Sequence, residues 1–168
     1  VAAYVMAATQ MFFDQRLAQP GNLRIFERLE VIGEQAVRVF DRPDAGLWEF
    51  RTNAKVHTFS AVMCWAACDR LAKVAKRLRL EPRAAYWRRH AGLIRAVVME
   101  KAWNAELNSF VERFGGKAMD ASLLLMHHLG FLASDDPGFA GTVAVVEKNL
   151  RRDDFLLRYA TADDFGVP

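Results

Sequence analysis

Cysteine and proline are scarce in this chain, with two and five residues among 168. No apolar run reaches the ~20 residues a helix needs to cross a bilayer. Two thiols cannot build a disulfide framework. Cys64 and Cys68 stand four apart in a helical pattern, on one face but poorly aimed for a bridge, and read as reduced core thiols. A metal site needs further ligands at set spacing, and the adjacent His127 and His128 fall on a different predicted helix, so neither a metal nor another cofactor is expected. Charge of one sign is nowhere concentrated: 23 Lys and Arg are interleaved with 20 Asp and Glu for a net +3, so nucleic acid is not an expected partner. No membrane partner is expected either, and the N-terminus lacks the charged start of a signal peptide, which points to a cytoplasmic protein. Also missing are a Gly-x-Ser-x-Gly elbow, a Walker-type phosphate loop, a dinucleotide glycine fingerprint and a His-Glu-x-x-His pair.

What is present is helical periodicity. Phe26, Leu29, Ile32, Ala36 and Phe40 recur in steps of three or four, as do Trp87, Ala91, Ile94 and Val98, whereas no alternating series with hairpin turns is evident. The expected fold is all-α and a single domain over residues 1–168, with helices at about 3–18, 22–41, 53–80, 84–102, 118–133 and 138–151. Pro20-Gly21, Glu81-Pro82 and Asp135-Asp136-Pro137-Gly138 form short links. Longer connections run from Asp41 to Thr52, from Trp103 to Lys117 and from Arg152 onward. Short links join antiparallel neighbours, so three helical hairpins should carry the long loops on one face. The chain starts at Val1 inside an apolar helical pattern and stops at Pro168, as a piece of a longer polypeptide would.

The first long loop holds the most chemistry. In Asp44-Ala-Gly46-Leu-Trp48-Glu49-Phe-Arg51, an aromatic, a carboxyl and a guanidinium fall within four residues after a glycine that permits a tight turn. Such groups suit a sugar: the aromatic packs on a pyranose face, the guanidinium donates to hydroxyls, and a carboxylic acid in a partly apolar setting can protonate a glycosidic oxygen. The same residue types also fit a core Trp48 beside a solvated Glu49–Arg51 pair. Arg158-Tyr159 in the third loop reads by itself as part of a charged turn, but shared loop geometry would bring Arg158 to the face of Glu49. Asp120, before Ala-Ser-Leu-Leu-Leu-Met126, is expected to cap a helix or brace a loop, and His57 to support the site without reacting. Met63 to Trp65 read as core.

The order of motifs resembles glycoside hydrolase family 15, the glucoamylase and trehalase family. The pieces are Asp44 to Arg51; His57 to Arg70; Met119 to Met126 with Gly130-Phe-Leu132; Asp136-Pro137, Thr142-Val143 and Glu147; and Arg158-Tyr159 with Asp163 to Pro168. The resemblance implies an (α/α)6 barrel of six-hairpin type, about half of it present here. It further implies that Glu49 is the general acid and that Arg158 contacts sugar hydroxyls; the residues themselves place Trp48 and Arg51 with them on the substrate, and His57 and Asp120 behind them. The family's second carboxylate, its general base, lies beyond the Arg-Tyr motif and beyond this chain, and an Arg-Asp pair from the N-terminal part is missing too. Many relatives carry Lys where Ala61 stands, which puts the leaving-group site in doubt. The expectation is inverting hydrolysis of α-linked glucosides, malto-oligosaccharide or trehalose, by a longer protein, with this chain inactive alone and prone to self-association. A non-catalytic helical binding module and another sugar-active barrel enzyme are the alternatives.

Overall fold

The computed structural model describes residues 1–49 and 54–161. Its helices are α1 (Ala2–Phe13), α2 (Leu23–Val39), α3 (Thr58–Arg77), α4 (Glu81–Lys101), a 3-10 turn η1 (Ala121–Leu124) running into α5 (Leu125–His128), and α6 (Pro137–Leu150). The all-α class holds. Two antiparallel ladders of two residues per strand accompany the helices: β1 (Trp103–Asn104) pairs with β2 (Ser109–Phe110), and β3 (Arg151–Arg152) with β4 (Phe155–Leu156). The chain divides into two compact units, Val1–Phe40 with Met63–Arg95, and Asp41–Val62 with Ala96–Pro168.

In the first unit, α2 buries Phe26, Leu29, Gly33 and Ala36, so Gly33 takes the core position that the periodicity assigned to Ile32. A methyl group on Gly33 would lie 2.3 Å from Leu71 Cδ1 and 2.7 Å from Trp87 Cη2, so only a bare α-carbon fits beneath those side chains. Trp87, Ala91 and Ile94 of the α4 stripe are buried as their spacing predicts. Trp87 satisfies its indole N–H on Glu30 at 2.8 Å, and Arg83 closes the same carboxylate at 2.6 Å while lying over the Phe26 ring. Cys64 and Cys68 are buried and form no disulfide.

In the second unit, Phe110, Leu123, Met126, Phe131, Val146 and Leu150 make the core. Helix α6 is held to the β1–β2 hairpin by Thr142, whose hydroxyl donates to Gly138 O at 2.7 Å and accepts the Phe110 N–H at 3.0 Å. All three long loops belong to this unit. Thr58 N–H donates to Glu112 O, Phe114 N–H donates to Val56 O, and His57 bridges Arg113, which joins the first loop to the second. Asp120 bridges Tyr159 in the third.

Several expected boundaries are corrected. The helix expected over 3–18 stops at Phe13, because the Asp14 carboxylate gathers the backbone N–H and guanidinium of Arg16 into a local turn that competes with helix. Helix α3 starts at Thr58, not 53; residues 54–57 are drawn into bridges, Lys55 with Asp44 and His57 with Arg113. Helix α4 starts at Glu81, three residues before the expected 84, since Pro82 falls in the first turn, where a missing N–H is no loss. The largest correction is at 118–133. Asp120 is extended and caps the short η1–α5 run, which ends in a Schellman closure at Gly130 (φ +80), with Gly130 N–H on His127 O and Phe131 N–H on Met126 O. Each ladder is too short to show alternation, and each closes through a left-handed residue, Asn108 or Asp153.

Candidate functional site

Glu49, Trp48, His57, Asp120 and Arg158 all fall in the second unit, while Arg51 lies outside the described residues, as do Asp163 and Asp164. The first loop is built as a turn within a turn. Asp44 pairs with Lys55 through two backbone hydrogen bonds of 2.9 and 3.1 Å, and its carboxylate accepts the Gly46 N–H at 2.8 Å. Gly46 is left-handed at φ +69, and the His57 imidazole, 6% exposed, packs against its α-carbon. The turn ends at Glu49, also left-handed at φ +57, with its N–H on Gly46 O at 3.3 Å. Few residues other than glycine adopt this backbone, because Cβ crowds the following carbonyl oxygen. The Glu49 side chain is exposed within this chain.

Trp48 is half-buried and binds three partners. Its indole Nε1–H donates to Asp120 Oδ2 at 2.8 Å, the Arg158 guanidinium lies 5.5 Å from its ring centroid, and the Tyr159 ring is tilted against it at 6.2 Å. Arg158 also lies 5.4 Å over the Tyr159 ring. Trp48 therefore gives part of its aromatic surface to a guanidinium, a contact worth roughly 0.5–2 kcal/mol depending on desolvation. Asp120 caps η1 by accepting the Ser122 N–H at 2.7 Å and braces the loop by accepting from Trp48. Both roles considered for it occur together.

Tyr159 is the residue that sequence reasoning undervalued. It is 2% exposed, bridges Asp120 and backs both Trp48 and Arg158. Its place beside Arg158 in the third loop was a signal, but nothing local said that its ring would turn inward. The cluster offers a carboxyl group open to approach, guanidinium donors and a rigid aromatic wall on one set of loops. Those are the groups needed to hold a polyhydroxylated ring and protonate an acetal oxygen. Among the described residues no three His, Cys, Asp or Glu side chains are grouped to hold a metal ion, and no helix is long and apolar enough to cross a membrane.

The model of Glycosyl hydrolases family 15 matches residues 2–165. The chain is similar to a trehalase of Thermoplasma volcanium, 35% identical over 143 residues, which is 85% of this chain and 23% of the relative. It is 40% identical over 126 residues to a trehalase of Mycobacterium tuberculosis, covering 75% of this chain and 18% of the relative. A trehalase of Thermoplasma acidophilum is 39% identical over 143 residues, 85% of this chain and 25% of that protein. The chain thus spans a quarter or less of the length of these relatives. With its ordered motifs, its helical fold and a family match over nearly its whole length, this chain belongs to glycosyl hydrolase family 15, as an all-α part of that family's (α/α)6 barrel.

Proposed function

We propose that this chain contributes the acid side of an inverting α-glucosidase site, with Glu49 as general acid and trehalose as the first substrate to test. One observation carries the reading. Glu49 emerges from a left-handed turn directly after Trp48, and Trp48 is tied to Asp120 and lies under Arg158. The trehalase names of the relatives favour trehalose over malto-oligosaccharide. In the proposed reaction Glu49 gives its proton to the glycosidic oxygen as that bond breaks. A second carboxylate, about 6.5–9.5 Å away and outside this chain, takes a proton from the water that attacks the opposite ring face. Arg158 donates to sugar hydroxyls while Trp48 and Tyr159 hold its guanidinium in place.

The chain alone lacks the base and has no turnover. Its exposed apolar residues, such as Val31 at 72% and Phe155 at 77%, favour self-association when the remaining domain is absent. The test is Glu49→Gln in the intact enzyme, which keeps size but has no proton to give. kcat on trehalose should fall by about 10²–10⁴-fold. Loss on α-glucosyl fluoride, whose leaving group needs little protonation, should be smaller, and fresh product should carry the β anomer. Equal loss on both substrates removes Glu49 from the acid role, and an unsaturated product refutes hydrolysis.

A further inference from the structure

We propose that Asp120 is a positioning residue for Glu49, acting through Trp48; this rests on the reading of Glu49 as the acid. Asp120 is 5% exposed and divides its two oxygens between separate tasks, Oδ1 to the Ser122 N–H and Oδ2 to the Trp48 indole. Capping needs one oxygen and is done as well by serine or asparagine. The second oxygen is therefore surplus to the cap, and it reaches a residue 72 positions away in sequence. Asp120 is itself held from the third loop, by its bridge to Tyr159 and by the neighbouring Ala121 N–H on Arg158 O at 2.9 Å. A carboxylate fixed in this way makes a firm anchor.

What it anchors is the residue before a strained one. Glu49 sits at φ +57, and the 3.3 Å bond from its N–H to Gly46 O is a weak local restraint on such backbone. With the indole ring locked on Asp120, the adjoining peptide is held as well, and the Glu49 carboxyl leaves the turn in one direction. Releasing the indole lets the turn relax toward ordinary φ and carries the acid away from the glycosidic oxygen. Misplacement on the order of 1 Å costs about 10²-fold in rate.

The experiment compares Asp120→Ser, which keeps a capping oxygen but cannot reach the indole, with Glu49→Gln in the intact enzyme. Asp120→Ser should lower kcat on trehalose by about 10–100-fold and harm α-glucosyl fluoride less, the same leaving-group signature as Glu49→Gln. A purely structural role would scale both substrates alike. Equal losses, or none, with Glu49→Gln still showing the signature overturn the Asp120 proposal alone. Loss of the signature in Glu49→Gln overturns the acid reading and this inference with it. Should Asp120→Ser fail to fold, hydrogen exchange of the Trp48 indole N–H in the unaltered enzyme decides, the signal being identified by its disappearance in Trp48→Phe. Slow exchange supports the anchor, and exchange as fast as an exposed indole overturns it.

Discussion

The imidazole of His57 lies against the α-carbon of Gly46, so that a methyl group there would sit 3.0 Å from Nε2 and 3.1 Å from Cδ2 and Cε1. Gly46→Ala therefore meets two penalties, a left-handed φ of +69 and a ring that must give way. The φ term costs about 1–2 kcal/mol, which for a chain of this size lowers the melting temperature by roughly 2–8 °C. His57→Ala in the same background should return the contact share and leave the φ share. A melting temperature unchanged in Gly46→Ala would mean that the turn is not held as described.

Glu30 accepts from the buried Trp87 indole and from Arg83 at once. Glu30→Ala strands a buried N–H and should destabilise by about 1–3 kcal/mol in urea titration. Glu30→Gln retains an oxygen for the indole and loses only the ionic share, which at a pair with Arg83 37% exposed amounts to about 0–1 kcal/mol. Equal costs for the two variants would assign the effect to charge instead of the indole bond.

Thr142 is fully buried and joins α6 to the β1–β2 hairpin through its hydroxyl. Thr142→Val keeps the shape but leaves the Phe110 N–H without its acceptor, a loss of about 1–3 kcal/mol. Thr142→Ser should recover most of it. Amide exchange at Phe110 gives a direct reading, accelerating in the valine variant and near normal in the serine variant.

Burial pushes the Cys68 thiol up to about 12, with Cys64, Glu34 and Asp69 adding to the shift. A raised value means that the folded state favours the protonated thiol. The resulting stability is fully present below the unfolded thiol value, about 8.5, and is lost as pH rises from there toward about 12. Stability measured from pH 8 upward should fall less steeply in Cys68→Ala than in the parent. At pH 8 a disulfide reagent should leave Cys68 unmodified until denaturant is added, and rapid labelling of the native chain at that position would contradict the burial.

Much of the scaffold could be seen in local patterns. The helical spacing of Phe26, Leu29 and Ala36, and of Trp87, Ala91, Ile94 and Val98, matches the buried faces of α2 and α4. Asn22 and Asp136 cap α2 and α6 with side-chain oxygens, so both helices start within a residue of where they were expected. Such features depend on groups within about one helical turn, which is why a linear reading finds them. The motif order from Asp44 to Tyr159 was likewise enough to identify the family.

What depended on tertiary structure is the shape of the site. The run from Ala118 to Leu132 has helical apolar spacing, yet Ala118 O accepts from Glu112 and Asp120 bridges Tyr159, leaving only the short η1–α5 turn. The inward ring of Tyr159 likewise depends on a partner from another loop, Trp48. Sequence by itself determined the buried faces of α2 and α4, the starts of α2 and α6, and the family they serve, because periodicity and capping are local. Folding alone decided that the Asp120 carboxylate would serve both Ser122 and Trp48, because the choice between cap and brace depends on an indole brought to it from 72 residues away.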